Sequence, residues 1–301
     1  MSKLRSRIAQ FVPRKFHPLL KRQVRRFDRL RGHSTAQARP GVILMLHVGR
    51  CGSTVLANLL AQNNRVHWDG KLPRKALQLY GDGIREIDYS KWIAEQFTIS
   101  GDRFYGFEFK ILPDQYPAIF GTTTVDFLKA CRTMGVTHYI LLTRRNTLRH
   151  VVSHYASKSR GNWHAGSGEK IQKKEFSLNI NDITTGRAPG RALTNYLQEV
   201  DAAHAEVRTA LTGEKFLELE YERDIDEAGA YHAYTQICTF LGVPTGDVKI
   251  RNRRMNPYPL DSVLENYDEV VQTLAGSDFA WMTCDERNAG GSEPDGPRPA
   301  G

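Results

Sequence analysis

The sequence has no long hydrophobic run and no paired cysteines. A membrane-spanning helix needs about 18 or more consecutive apolar residues, and no stretch of the chain reaches that length. The four cysteines are scattered without a CxxC pair, which argues against a disulfide framework or a zinc site and favours a reducing compartment. No secretory signal pattern begins the sequence. We therefore expect a cytoplasmic protein.

Acidic residues are in the minority. The chain of 301 residues has 42 Lys and Arg against 33 Asp and Glu, a formal net charge of +9 with neutral histidines. This excess suits an anionic ligand, a membrane surface or nucleic acid, and does not choose among them. The aromatic residues form no pattern typical of an RNA-binding sheet, so we expect no nucleic-acid partner. Hydrophobic residues make up 40% of the chain, enough for the core of one large α/β domain.

Residues 41–60 combine a strand, a glycine turn and a helix. Residues 42–48 form a nearly unbroken apolar run, as expected for a strand that is buried on both faces of a parallel sheet. Residues 49–54 interrupt it with two glycines, a cation and hydroxyls, and a helical pattern begins at Val55. The free N–H groups and the positive dipole end of such a helix attract anions. The stretch therefore predicts an anion-binding loop.

The turn differs from a Walker A loop, in which Lys and then Ser or Thr follow the last glycine. Here Ser53 follows Gly52 directly, and the cation, Arg50, lies two residues before that glycine. The order R-C-G-S-T resembles the 5′-phosphosulfate loop of the sulfotransferases that use 3′-phosphoadenosine 5′-phosphosulfate (PAPS), with Cys51 in place of a serine. Taken alone, the turn also fits an ordinary helix cap. The resemblance implies that six loop residues bind the 5′ end of PAPS: Gly49, Arg50, Cys51, Gly52, Ser53 and Thr54.

A second loop follows a strand expected at residues 137–143. Arg145 and Asn146 lie in this loop, and Ser153 stands eight residues after Arg145. This resembles the 3′-phosphate signature of the same family, Arg-Asn-Pro with a serine eight residues after the arginine, although Thr147 replaces the proline. A strand-end arginine and a hydroxyl in the next helix can both donate to a phosphate. The resemblance implies that Arg145 and Ser153 bind the 3′-phosphate.

Three further stretches resemble the family. Residues 219–222 match its strand-end Tyr-Glu motif, and the tyrosine of that motif, here Tyr221, lines the nucleotide site. Residues 239–244 match a structural Phe-Leu-Gly helix ending. Residues 266–270, with Trp281, resemble the C-terminal region of bacterial carbohydrate-type members.

Two basic segments have open roles. The N-terminal arm, residues 1–40, interleaves basic and apolar residues. It fits a solvated arm packed on the domain, which we favour, or a basic amphipathic helix in peripheral contact with anionic membrane lipids. Arg254 belongs to a basic run that either closes over the 3′-phosphate or an anionic acceptor, or is a solvated loop.

Strands that alternate with helices predict an α/β fold, a P-loop-type parallel sheet with helices on both faces. Ligands of such sheets bind beyond the carboxyl ends of the strands. We expect a single domain over residues 41–285, followed by a tail of disordered composition over residues 286–301. The expected elements are strands at 42–48, 104–111, 137–143 and 215–219, helices at 55–60, 92–97, 192–211, 233–241 and 262–274, and a polar, turn-rich segment at 63–75.

The resemblance covers residues 41–283 and implies a PAPS-dependent sulfotransferase that needs no metal and sulfates a hydroxyl of a carbohydrate or glycolipid. Arg50 would stabilise the charge on the departing phosphate. One alternative is a P-loop-like nucleotide kinase or NTPase, disfavoured because no lysine follows Gly52 and no apolar strand ends in a magnesium-binding aspartate. The other is a basic membrane- or nucleic-acid-binding protein with a degenerate nucleotide fold, in which both phosphate loops would be idle.

The acceptor hydroxyl also needs a base. Many bacterial relatives carry a glutamate in an Asp-Gly-Glu-like turn, but here Lys71 stands two residues after Asp69. A protonated lysine cannot accept a proton. We favour Glu108 as the base, because it shares a strand face with Lys110 near the carboxyl end of the sheet, and Lys110 would neutralise the transferring group. Asp69 and His67 are the rival bases.

Overall fold

The computed structural model describes residues 39–161, 172–187, 189–252 and 256–284. The expected N-terminal arm, apart from its last two residues, lies outside the described residues. So do Arg254 and the C-terminal tail.

One parallel sheet organises the chain. Its strands are β1 (Val42–His47), β2 (Val66–Gly70), β3 (Phe104–Lys110), β4 (His138–Thr143) and β5 (Phe216–Glu220). They lie in the order β2-β3-β1-β4-β5, and every neighbouring pair is parallel. The expected α/β class with a parallel sheet is confirmed.

The helices cover both faces of this sheet. They are α1 (Ser53–Leu60), α2 (Leu72–Tyr80), α3 (Tyr89–Phe97), α4 (Tyr116–Phe120), α5 (Thr124–Thr133), α6 (Thr147–Arg160), α7 (Leu193–Ala210), α8 (Ala230–Leu241) and α9 (Tyr267–Leu274). A π-helical turn, Tyr221–Glu227, follows β5 directly. No helix of the described segments is long and apolar enough to cross a membrane.

The central strands are apolar because both of their faces are covered. Every residue of β1 and β4 is buried. Successive side chains point to opposite faces of a sheet, so Leu44 belongs to an apolar cluster with residues of α3, α5, α6 and α7, whereas Met45 belongs to a second cluster with residues of α1 and α8. The two apolar clusters therefore cover the two faces of the sheet, as expected for a buried parallel sheet.

Two expectations about elements are wrong. The segment at residues 63–75, expected to be turn-rich, contains strand β2 and the start of α2. Strand β2 is an edge strand that pairs with β3, and Val66 is its one fully buried residue, so no apolar run marks it in the sequence. The helix expected from residue 262 begins at Tyr267. Before it, the backbone of Val263 accepts from the N–H of Phe176 at 3.0 Å, so a distant segment holds this part of the chain out of the helix.

Candidate functional site

The candidate site lies where the carboxyl ends of the strands meet. Strand β1 is central, and the loop that follows it lies between the loops after β3 and β4. Sheets of this kind bind ligands at such an edge. The chemistry-bearing residues of these loops are therefore neighbours in space.

The loop after β1 has an unusual backbone. Gly49, Arg50 and Gly52 have positive φ angles of 103°, 51° and 81°. Among the described residues, Arg50 is the one non-glycine with a positive φ. Such a conformation is unfavourable for a residue with a side chain and is held in place by its surroundings.

The loop also leads into a helix end that no side chain caps. Helix α1 has Gly52 as its N-cap, and no side chain accepts its first N–H groups. A Cβ at Gly52 would lie 2.6 Å from Ile225 and 3.3 Å from Tyr221, so only glycine fits there. These N–H groups, which include those of Ser53 and Thr54, are suited to an anionic ligand.

Cys51 contributes to the loop through its backbone. Its side chain is fully buried in the cluster beneath α1. Burial raises the pKa of the thiol to about 11, so the sulfur stays protonated at neutral pH. The serine of the family pattern is therefore replaced here by a small apolar side chain that points into the core.

Arg50 connects this loop to helix α6. Its Nε donates to the Ser153 hydroxyl at 3.1 Å, and its Nη2 donates to the Ser157 hydroxyl at 3.0 Å. Burial and the charges of Arg144 and Arg160 lower the pKa of Arg50 to about 10, so it remains charged at neutral pH. The structure thus brings the predicted 5′ residue Arg50 and the predicted 3′ residue Ser153 together.

Two consecutive arginines at the end of β4 take different positions. Arg144 is buried and donates to the backbone oxygen of Arg50 at 2.8 Å, and its guanidinium lies 4.5 Å from the ring centre of Tyr221. Arg145, the predicted 3′-phosphate ligand, is half exposed, with its Nε 3.8 Å from Glu220 and its guanidinium over the ring of Trp281. Arg144 therefore supports the loop, while Arg145 lies at its outer rim.

The start of α6 already has a carboxylate partner. Glu222, at the beginning of the π-helical turn, accepts from the backbone N–H groups of Arg145 at 2.9 Å and Asn146 at 3.2 Å. Its carboxylate also lies 3.5 Å from the Nε of Arg144. A phosphate near this loop would consequently be held by side chains rather than by these amides.

Lys110 ends β3 beside the loop. A Cβ at Gly49 would lie 3.3 Å from its Nζ. Burial and the neighbouring charges of Lys71 and Arg50 lower the pKa of Lys110 to about 8. Like charges held this close favour the binding of an anion, which would relieve their repulsion.

The three predicted bases are all engaged with protein groups. Glu108 is 3% exposed, and its carboxylate lies 3.2 Å from the Nε2 of His47. Asp69 accepts from the Tyr105 hydroxyl at 2.7 Å and forms an ion pair with Lys75. His67 stacks on Tyr105 and lies three positions before Glu108 in the strand register, away from the carboxyl ends. None of the three presents a free group to the loop.

Four site neighbours were missed by the sequence reasoning: His47, Arg144, Ser157 and His154. Ser157 follows Ser153 by one helical turn, a spacing that the sequence shows. His154 is neutral at pH 7, because burial and the charges of Lys110 and Arg50 lower its pKa to about 4. The position of His47 follows from its place at the end of β1, which the sequence also shows.

No protein-family model matches the chain, and no curated protein matches it. The solved structures that are similar to it include two sulfotransferase domains. The sulfotransferase domain from the curacin biosynthetic pathway is 15% identical with a TM-score of 0.42, over 68% of this chain and 75% of that one. The sulfotransferase domain from the Synechococcus PCC 7002 olefin synthase is 13% identical with a TM-score of 0.40, over 77% of this chain and 83% of that one. Because both identities and both TM-scores are low, the functional assignment depends on the geometry of the site.

Proposed function

We propose that this chain is a sulfotransferase that moves a sulfuryl group from PAPS to a hydroxyl group. The observation that carries the proposal is the pair of hydrogen bonds from Arg50 to Ser153 and Ser157. These hydrogen bonds connect the glycine loop at the N-terminus of α1 to helix α6, which carries both serine hydroxyls. A donor with phosphates at two ends requires such a pair of elements.

The donor set fits PAPS. The backbone of residues 49–54 offers N–H groups at a turn where a Cβ at Gly52 has no room, so a ligand can approach closely. Arg50 and Lys110 supply positive charge at that turn. Ser153 would bind the 3′-phosphate together with Arg145, which lies at the outer rim of the loop. The ring of Tyr221 packs against Gly52 and under the guanidinium of Arg144, and so lines the proposed nucleotide site. Arg254 is a further proposed ligand of the 3′-phosphate.

PAPS supplies an activated sulfuryl group when it is bound. The transfer leaves negative charge on the departing phosphate oxygen, and preorganised donors at that oxygen lower the barrier. Arg50 is suited to this role because Arg144 fixes its backbone and α6 fixes its guanidinium. Lys110 would hold the transferring group against the acceptor.

The acceptor is proposed to be a carbohydrate or glycolipid hydroxyl. This part rests on the resemblance of residues 266–270 and Trp281 to carbohydrate-type members. We further propose that the N-terminal arm, residues 1–40, contacts a membrane surface peripherally through its interleaved basic and apolar residues.

Radiolabelling tests the proposed reaction. The protein is incubated with ³⁵S-labelled PAPS and pooled glycans or glycolipids, and labelled products are counted after separation. We expect label in a glycan or glycolipid fraction, and none with Arg50→Gln. The exposed ion-pair variant Lys129→Gln serves as the charge-matched control and should behave as wild type. Label confined to another class of hydroxyl compound would refute the proposed acceptor and leave the reaction standing.

A further inference from the structure

A buried histidine and a buried glutamate meet beneath the loop. His47, at the end of β1, is 1% exposed, and its Nε2 lies 3.2 Å from the carboxylate of Glu108 on β3. In the strand register His47 lies directly beside Lys110. The pair therefore sits next to the cation that adjoins Gly49.

The chemistry of the pair fixes which nitrogen carries the proton. Burial raises the pKa of Glu108, but the hydrogen bond to His47 and the nearby charge of Lys71 oppose it and the net change is downward, so the carboxyl is ionised. An ionised carboxylate only accepts hydrogen bonds, so the Nε2 of His47 must donate. In a neutral ring the other nitrogen, Nδ1, then bears a lone pair.

Among the described residues, that lone pair has no protein partner. The Nδ1 of His47 is buried and has no hydrogen-bond partner within the described segments. A buried polar atom without a partner destabilises a fold and calls for an explanation. A purely structural His–Glu pair gains nothing from leaving this atom unsatisfied, whereas a general base needs a free lone pair.

The surroundings keep the ring ready to accept a proton. Burial is the main cause that lowers the pKa of His47, and the charges of Lys110 on β3 and Lys71 at the start of α2 lower it further. The hydrogen bond and charge of Glu108 oppose this change. His47 is therefore neutral at pH 7, and a carboxylate stands ready to stabilise the imidazolium once it forms.

We propose that His47 is the general base of the transfer and that Glu108 is its positioning residue. The inference rests on the proposed function. As the acceptor oxygen bonds to sulfur, the bond from sulfur to the phosphate oxygen of PAPS breaks, and that oxygen keeps the electron pair. The acceptor's proton moves to Nδ1 of His47. Glu108 holds the ring through Nε2 throughout, which is the logic of a base oriented by a third group.

This assignment changes the role expected for Glu108. Its carboxylate is engaged by the Nε2 of His47, so we assign it to act through the imidazole rather than on the acceptor. Asp69 is held by Tyr105 and Lys75, which suits a structural role.

The tautomer of His47 tests the inference without any turnover. The protein is labelled with ¹⁵N-histidine and saturated with 3′-phosphoadenosine 5′-phosphate (PAP), and the signal absent from His47→Gln identifies the ring. We expect a proton on Nε2 and none on Nδ1 at pH 7. A proton on Nδ1 would overturn the inference. Failure of PAP to bind would instead refute the proposed function, so the two failures are distinguishable.

Kinetics provide the second test, with PAP release from PAPS as the readout and water as the acceptor. Gln retains a donor toward Glu108 but has no basic nitrogen. We expect His47→Gln to lower kcat by about 10²–10⁴-fold and to leave PAP affinity within roughly twofold. Unchanged turnover in His47→Gln, or a loss confined to His154→Gln, would overturn the assignment.

The pH dependence of the rate distinguishes a positioning role of Glu108 from a role in packing alone. The rate of the wild type should fall as the pH drops through the pKa of His47. Glu108→Gln removes the charge that stabilises the imidazolium, so the acid limb should move to lower pH while kcat falls. A lower kcat with an unmoved acid limb would show that Glu108 acts in packing alone and would contradict its role.

Discussion

The guanidinium of Arg50 donates to the hydroxyl of Ser153 at 3.1 Å and thereby joins the loop after β1 to the helix after β4. Ser157, one turn further along, receives the second hydrogen bond from the same guanidinium. The two serines share a partner, but only Ser153 occupies the position of the 3′-phosphate signature.

This difference gives the first prediction. Ser153→Ala should weaken PAP binding by about 1.5–3 kcal/mol, because a hydrogen bond to a charged phosphate contributes about that much, and should affect adenosine 5′-phosphate less. Ser157→Ala, the matched control, should weaken both nucleotides equally through Arg50. Calorimetric titration measures the four affinities. Equal effects of Ser153→Ala on both nucleotides would mean that Ser153 serves only to hold Arg50.

Arg145 tests the 3′-phosphate assignment more severely, since its side chain lies at the rim beside Glu220 and Trp281. Arg145→Ala should weaken PAP by about 1.5–3 kcal/mol and barely change adenosine 5′-phosphate binding. Arg132→Ala removes another surface ion pair, with Glu214, and should change neither. If Arg145→Ala weakens both nucleotides equally, Arg145 is structural and the motif assignment is wrong.

The glycine turn can be tested with a matched pair of glycines. Gly52 and Gly213 have φ angles of 81° and 84°, but a Cβ at Gly213 would meet nothing within 4 Å. Gly213→Ala should destabilise the fold by about 1–2 kcal/mol from backbone strain and leave PAP binding intact. Gly52→Ala should destabilise it further, through the clash with Ile225, and weaken PAP binding. Urea unfolding and calorimetry measure the two effects. Equal unfolding free energies and normal PAP affinity in both variants would show that the loop is not part of the nucleotide site.

Lys110 should make nucleotide binding depend on pH. Its pKa is about 8 in the fold against an ordinary 10.5, so it loses its proton as the pH rises through 8. A bound anion favours the charged form, so PAP affinity should fall above pH 8, approaching roughly tenfold per pH unit. Lys110→Met should give a flat profile between pH 8 and 9.5, since the PAP phosphates, with second pKa values near about 6, are already ionised. An unchanged slope in Lys110→Met would show that another group is responsible.

The lowered pKa of Lys110 also affects stability: the free energy of unfolding should rise with pH above 8, whereas PAP affinity falls. The unfolded chain binds the Lys110 proton more tightly than the folded protein does. Lys110 therefore lowers the free energy of unfolding below pH 8, and this destabilisation disappears as the pH rises from 8 to 10.5. Lys110→Met should therefore raise the midpoint of urea unfolding at pH 7 in the absence of nucleotide.

Much of the fold follows from the sequence because buried parallel strands leave apolar runs. Strands β1 and β4 were predictable for that reason, β3 was predictable from its alternating pattern, and the glycines mark the turn after β1. Edge strand β2 was not predictable, because the residues after Val66 are only partly buried and form no apolar run. The start of α9 was not predictable either, because a distant segment at Phe176 sets it.

The site was predictable in its loops and less so in its side chains. Which of the two neighbouring arginines supports the loop depends on how the chain turns from β4 into α6, and Glu222, in the π-helical turn after β5, accepts hydrogen bonds from the backbone of this turn. The partnership of His47 with Glu108 depends on the register between β1 and β3, which no local pattern encodes.

The most direct test of the central claim is the thermal stability of the full chain with PAP in the presence of EDTA. At about a hundred times its dissociation constant, PAP should add roughly 2.7 kcal/mol to the free energy of unfolding and raise Tm by several degrees, with the same result when magnesium replaces EDTA. ATP with magnesium should stabilise the protein much less. Stabilisation by ATP with magnesium and none by PAP would contradict the account and support a kinase or NTPase.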